Sequence, residues 1–184
     1  MTSSSKFSQV MLGERKTSEY GTPIDFFDKL DSIFHFQYDP CAFEDNRLGV
    51  TIFSTKEDNG LTKEWCWNTF INPPFGTKKG EKVVDWIRKM KEQSSQHRDK
   101  KYVMLLPTRI ESNWFQEEIF KDLEGIIYVL RGRLRFYNPK TNKNNDPHPM
   151  GSVLYIKNYN MTTEDANKLM ELLPGMFIER SRRV

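Results

Sequence analysis

Two consecutive prolines, Pro73 and Pro74, stand just after the apolar run Thr69-Phe70-Ile71 and the polar Asn72. Proline has no amide hydrogen and a φ fixed at about −65°, so neither residue continues a central strand or enters a helix interior. A buried strand is therefore forced to end at Ile71, with its carboxyl end turned out as a rigid loop. Other apolar runs stop in the same way, 35–39 at Pro40 and 102–106 at Pro107. Between them lie stretches of helical period. Residues 24–34 put Phe27, Leu30 and Phe34 on one side with Phe26 and Ile33 beside them, and residues 82–93 turn Val83, Val84, Ile87 and Met90 inward. Short strands that stop at proline, alternating with amphipathic helices, predict a wound α/β sheet rather than a bundle or a sandwich.

The remaining segments keep this alternation. Thr22 is placed to cap the first helix and Pro23 to occupy its first turn. A weak strand is expected at 49–53, a helix over 112–123, and strands at 126–130 and 152–157. A strand at 134–137 is expected to pair with a later one, and a last helix starts at Thr162 or Thr163. Residues 138–150 read as a polar loop. Serine and charge dominate residues 1–19, which read as a mobile tail, and residues 176–184 read as a basic tail. The 184 residues suffice for one domain, expected over 20–175. No apolar stretch approaches a membrane span and no hydrophobic signal core opens the chain. Two cysteines, Cys41 and Cys66, make no disulfide framework, so the expected setting is cytoplasmic. His35, His97 and His148 lack metal-ligand spacing, and no metal is expected.

The turn at Asn72-Pro73-Pro74-Phe75 presents a side-chain amide, a proline carbonyl without an internal partner and an aromatic ring. Asn72 Oδ1 and the Pro73 carbonyl are suited to accept the two hydrogens of a planar amino group, with Phe75 stacked on the ring behind it. A nucleobase extruded from a helix is read by such edge hydrogen bonds and stacking. The structural alternative is a rigid turn whose aromatic fills the core. In a wound sheet the Asp39-Pro40 strand end lies near this one, at the carboxyl edge where such sheets place ligands. A carboxylate beside the small Cys41 and Ala42 suits a cofactor with an amino group and a ribose, while the plainer role for Asp39 is a helix or turn cap. Together the two ends point to methyl transfer from S-adenosylmethionine to an exocyclic amine. That reaction is an in-line displacement in which protein catalysis is mostly positioning, and two acceptors on the amine also stabilise the positive charge that develops there.

The net charge of +3 permits a nucleic-acid partner without demanding one. Basic residues nevertheless cluster at Lys78-Lys79-Lys82, at Arg131-Arg133-Arg135 and at Arg180-Arg182-Arg183. The first cluster flanks the candidate site, where phosphate neutralisation is useful.

The chain resembles the phage-type DNA adenine-N6 methyltransferases, the small Dam-like family. The resemblance rests on Gly21-Thr22-Pro23 before a Phe-Phe helix, Tyr38-Asp39-Pro40-Cys41-Ala42, the run FSTKEDNGL from Phe53, and Ile71 through Gly76. Downstream, MLLPTR from Met104, Trp114-Phe115 and Arg131-Gly132-Arg133-Leu134-Arg135-Phe136 complete it, so the match covers about residues 20–157 in order. It implies a single Rossmann-like methyltransferase domain: a mostly parallel wound sheet, helices on both faces and an antiparallel C-terminal strand. Thr22 and Pro23 would meet the methionine part of the cofactor. Asp39, Pro40 and Ala42 would line its pocket, and Asp58 would approach its adenosine. Asn72, Pro73, Pro74 and Phe75 would hold a flipped adenine, and Arg109, Arg131 and Arg133 would contact DNA or the cofactor; Lys78 and Lys79 are expected against DNA from the basic cluster beside the site. Residues 147–152 match only loosely, and the loop from Asn138 is long for the family. The Asn-Pro-Pro motif alone also serves enzymes that methylate RNA adenine or a protein glutamine amide, and a non-catalytic nucleic-acid-binding module of the same fold is a third reading.

Overall fold

The computed structural model describes residues 20–74, 82–139, 141, 143–144 and 147–180. Helix α1 spans Ile24–Phe34 and buries Phe26, Phe27, Leu30, Ile33 and Phe34. Pro23 is its N-cap residue rather than part of its first turn, and no side chain caps it; the Thr22 hydroxyl is engaged elsewhere. Its end is sharp. His35 takes the left-handed conformation at φ 54°, and Asp31 accepts from the Phe36 amide at 2.6 Å, so the chain reverses into the sheet at once.

Seven strands form one sheet. They are β1 (Tyr38–Asp39), β2 (Ile52–Phe53), β3 (Thr69–Ile71), β4 (Tyr102–Pro107), β5 (Ile126–Leu130), β8 (Ser152–Lys157) and β9 (Gly175–Ile178), while β6 (Tyr137–Asn138) and β7 (Lys143–Asn144) make a separate small hairpin. The sheet order is β2-β1-β3-β4-β8-β5-β9. The first four strands in that order are parallel. β8 runs antiparallel between β4 and β5, and β9 runs antiparallel along the far edge of β5. The sheet thus contains two antiparallel strands, one more than the resemblance implies. Residues 176–178, expected in a tail, belong to β9 because its backbone groups pair with Ile127 through Leu130.

Side chains alternate faithfully across the sheet. Phe70, Val103, Leu105, Tyr128, Leu154 and Ile156 face α1 and the last helix, α3 (Thr163–Leu172), on one side. Ile71, Tyr102, Met104, Leu106, Ile127, Val153 and Tyr155 face α2 (Val83–Gln96) and Phe115–Phe120 on the other. That last segment is a short π-helical stretch, shorter than the expected helix through 123. β4 and β8 are buried at every residue, as strands covered on both faces must be. Each large apolar side chain withdrawn from water contributes about 1.5–3 kcal/mol.

Side-chain links fix the loops at both ends of the sheet. The Trp65 indole donates to the Gly60 carbonyl at 2.9 Å, and a Cβ on Gly60 would collide with the Pro40 carbonyl oxygen. Only glycine lets the chain after β2 pass this close to the end of β1. At the opposite end of the sheet, Lys157 is 3% exposed and pairs with Asp122 at 3.0 Å, which also accepts from the Tyr155 hydroxyl. Arg180 donates to the carbonyls of Ile119, Phe120 and Gly125. It therefore closes the end of the π-helical stretch and is not part of a free basic face.

Candidate active site

Parallel β1, β3 and β4, and β5 beyond β8, all end at one edge of the sheet. Asp39 closes β1, and Asn72 follows β3, the strand hydrogen-bonded beside it. Thr108 and Arg109 follow β4, and Arg131 to Arg133 follow β5. The chain leaves β1 in one direction for β2 and returns past it to β3, which creates the switch point at which open α/β sheets bind ligands.

Asn72 is fixed by the segment before α1. Its Nδ2 donates to the Tyr20 carbonyl at 2.9 Å and to Thr22 Oγ1 at 3.1 Å. A carbonyl only accepts, so the amide nitrogen must face Tyr20 and Oδ1 must face away from both partners. The side chain is held as an acceptor. Thr22, 3% exposed, commits an oxygen lone pair to Asn72 and keeps its own O–H to donate. The segment is itself anchored, since Gly21 and Tyr137 exchange backbone hydrogen bonds of 2.9 and 2.8 Å. A Cβ on Gly21 would stand 2.9 Å from both the Phe43 and Tyr137 rings, so the fit leaves room for glycine alone.

Asp39 is 4% exposed. Its Oδ1 accepts from the Cys41 amide at 2.8 Å, so it does cap a turn. Burial outweighs that one bond and pushes the carboxyl up to about 7. Among the described residues no cation pairs with it. Asp39, Asn72, Thr22, Cys41 and Ala42 line one cavity of about 30 Å³, together with Phe43 and Arg47. Small-molecule sites run to roughly 300 Å³ or more, so a larger ligand puts one small end here and the rest along the open sheet edge. A buried carboxylate with no cation among the described residues, beside the small Cys41 and Ala42, suits a ligand's amino group.

The other expected residues are distributed around this cavity. Pro73 is buried and Pro74 half-buried beside Asn72. Pro23 and Pro40 do not line the cavity. Asp58 is exposed and accepts from the Thr55 amide at 2.9 Å and the Thr55 hydroxyl at 3.0 Å, bonds that hold its carboxyl below the usual range. Arg109, Arg131 and Arg133 are exposed on the same sheet edge. Phe75, Lys78, Lys79, Arg182, Arg183 and residues 1–19 lie outside the described residues. Among the described residues there is no cluster of three or more potential metal ligands, and no helix is long and apolar enough to cross a membrane. Sequence reasoning missed Arg47 and Phe43. No motif marks them, and only the fold carries the loop after β1 back over the cavity.

A mixed α/β sheet with a buried carboxylate and an oriented amide on adjacent strand ends defines a class of ligand-binding α/β domains. Within that class the chain matches the family described as DNA N-6-adenine-methyltransferase (Dam) over residues 11–170. It belongs to that family. A DNA N-6-adenine-methyltransferase of Escherichia phage T1 is similar to it, 27% identical over 136 residues that make up 66% of this chain and 54% of the relative. The chain thus spans about half the length of that relative.

Proposed function

We propose that this protein is an S-adenosylmethionine-dependent DNA methyltransferase with a Rossmann-like fold. It would methylate the exocyclic N6 of an adenine turned out of the duplex, in the cytoplasm of a bacterial or phage-infected cell. The observation that carries this is the locked Asn72 amide. With Nδ2 committed to Tyr20 and Thr22, Oδ1 is the only group it offers, and an amino group is what an acceptor there receives.

In this reading Asp39, Ala42 and Thr22, which line one cavity, hold one end of the methyl donor. Bound there, the donor supplies a methyl carbon already activated by the adjacent sulfonium. Asn72 Oδ1 accepts one N6 hydrogen and the Pro73 carbonyl the other. Both acceptors turn the nitrogen lone pair out of conjugation and stabilise the positive charge that grows on it. Pro73 and Pro74 keep that geometry rigid, and Phe75 stacks on the base. Unstacking that base from duplex DNA costs a few kcal/mol, and Arg109, Arg131 and Arg133 with Lys78 and Lys79 offset it with phosphate contacts. No side chain has to generate the nucleophile, and Asp39 is kept for binding.

The test is mass spectrometry of nucleosides from a host lacking endogenous adenine methylation and expressing the protein. N6-methyladenine in its DNA is the expected result. The modified base in RNA only, or methylglutamine in protein, replaces the acceptor. No methylated product in any fraction returns the chain to a binding role.

A further inference from the structure

The cavity beside Asp39 holds a second charge that no motif announced. Arg47 also lines it, its guanidinium carbon 3.5 Å from the centroid of the Tyr137 ring. Stacking on an aromatic face fixes the guanidinium plane and leaves its in-plane N–H groups free to donate. Its Nε is buried without a hydrogen-bond partner among the described residues. An unmet buried donor on a cation is costly. Asp39 has the matching defect, a buried carboxyl whose pKa is raised by burial and opposed by one amide alone. Acid and base share one small cavity yet do not neutralise each other. Tyr137, on which Arg47 rests, exchanges backbone bonds with Gly21, next to the Thr22 that holds Asn72. The arrangement is built into the site rather than left on its rim.

We infer that Arg47 receives the carboxylate of the methyl donor's amino-acid end while Asp39 receives its ammonium, an assignment that rests on the proposed function. A zwitterion completes both partnerships at once. A cation lacking the carboxylate completes only one and sets a positive charge near Arg47. Arg47 is thus a specificity determinant for the donor, distinct from the groups that hold the acceptor.

Calorimetry with S-adenosylmethionine, S-adenosylhomocysteine and decarboxylated S-adenosylmethionine tests this. The wild-type protein should bind the two carboxylate-bearing ligands about tenfold to a hundredfold more tightly than the decarboxylated one. Arg47→Met keeps the apolar stem and removes the guanidinium. It should lose that preference by weakening only the carboxylate-bearing ligands. If the variant does not fold, Arg47→Lys decides the point, since it keeps charge but not the fork and should shrink the preference. A preference unchanged in either folded variant overturns the assignment and leaves the methyltransferase reading standing. Absence of binding to all three ligands by the wild-type protein instead removes the methyl-donor reading, and this inference with it.

Discussion

Asp39 brings a carboxylate into a wall where one amide meets it, and its protonation follows. An acid whose folded pKa is raised from its ordinary 3.8 to about 7 favours the fold while protonated. Its contribution is therefore greatest at low pH, declines as pH rises through this window, and stays lost above it. The difference corresponds to about 4 kcal/mol at most. Asp39→Asn keeps the acceptor for Cys41 but carries no charge. Urea unfolding of the ligand-free variant should show it more stable than wild type at pH 8, with the gain fading towards pH 4. A variant that gains instead as pH falls would show that the carboxylate is paired in the fold. The same variant should bind S-adenosylmethionine more weakly, because the ammonium loses its counter-charge. In the proposed reading, stability and donor binding pull in opposite directions at this residue.

At the level of elements, most of the fold is legible from local chemistry. α1, β4, β5 and β8 are set by apolar period and by proline or glycine stops, and α3 by its cap. Thr162 Oγ1 accepts from the Asp165 amide at 3.1 Å while Asp165 Oδ2 accepts from the Thr162 amide at 3.1 Å. Thr162→Ala should cost about 1 kcal/mol and lower the melting temperature by a few degrees without altering donor affinity. An unchanged melting temperature would mean that packing against α1 alone holds α3. β9 is not legible, since Gly175-Met176-Phe177-Ile178 is short, follows a proline and becomes a strand only through pairing with β5. The π-helical stretch at Phe115–Phe120 has the apolar period of an ordinary helix, and tertiary packing sets its pitch. In the site, the Asp39 and Asn72 strand ends are readable because proline marks both. The bonds from Asn72 to Tyr20 and Thr22 join residues 52 and 50 positions apart, a separation at which no local pattern speaks. A cap for α1 is the natural local reading of Thr22, and Asn72 outcompetes it.

For the molecule as a whole, one sheet edge gathers the cavity at Asp39, the oriented Asn72 amide and the exposed arginines, which the proposed function makes donor pocket, acceptor contact and DNA surface. β5 lies three strand positions from β3, so Arg131 sits about 14 Å along that edge from Asn72. This span suits contact with the backbone on either side of an extruded base. Changing Arg131 and Arg133 together to Gln should weaken duplex binding and reduce the log–log salt slope by about 0.9 for each phosphate no longer neutralised. Donor affinity should not move. An unaltered slope would place DNA elsewhere, and loss of donor binding would place these arginines in the pocket. The proposed chemistry stands or falls on Asn72 acting on the acceptor and not on the donor. Single-turnover transfer of labelled methyl from S-adenosylmethionine to unmethylated duplex DNA separates the two, run on wild type and Asn72→Ala with donor affinity measured on the same preparations. The variant should be slower by about 10²–10³, as for removal of one charge-stabilising group, with donor affinity retained. A variant that transfers methyl at the wild-type rate, or that fails only because it no longer binds the donor, would contradict this role for Asn72.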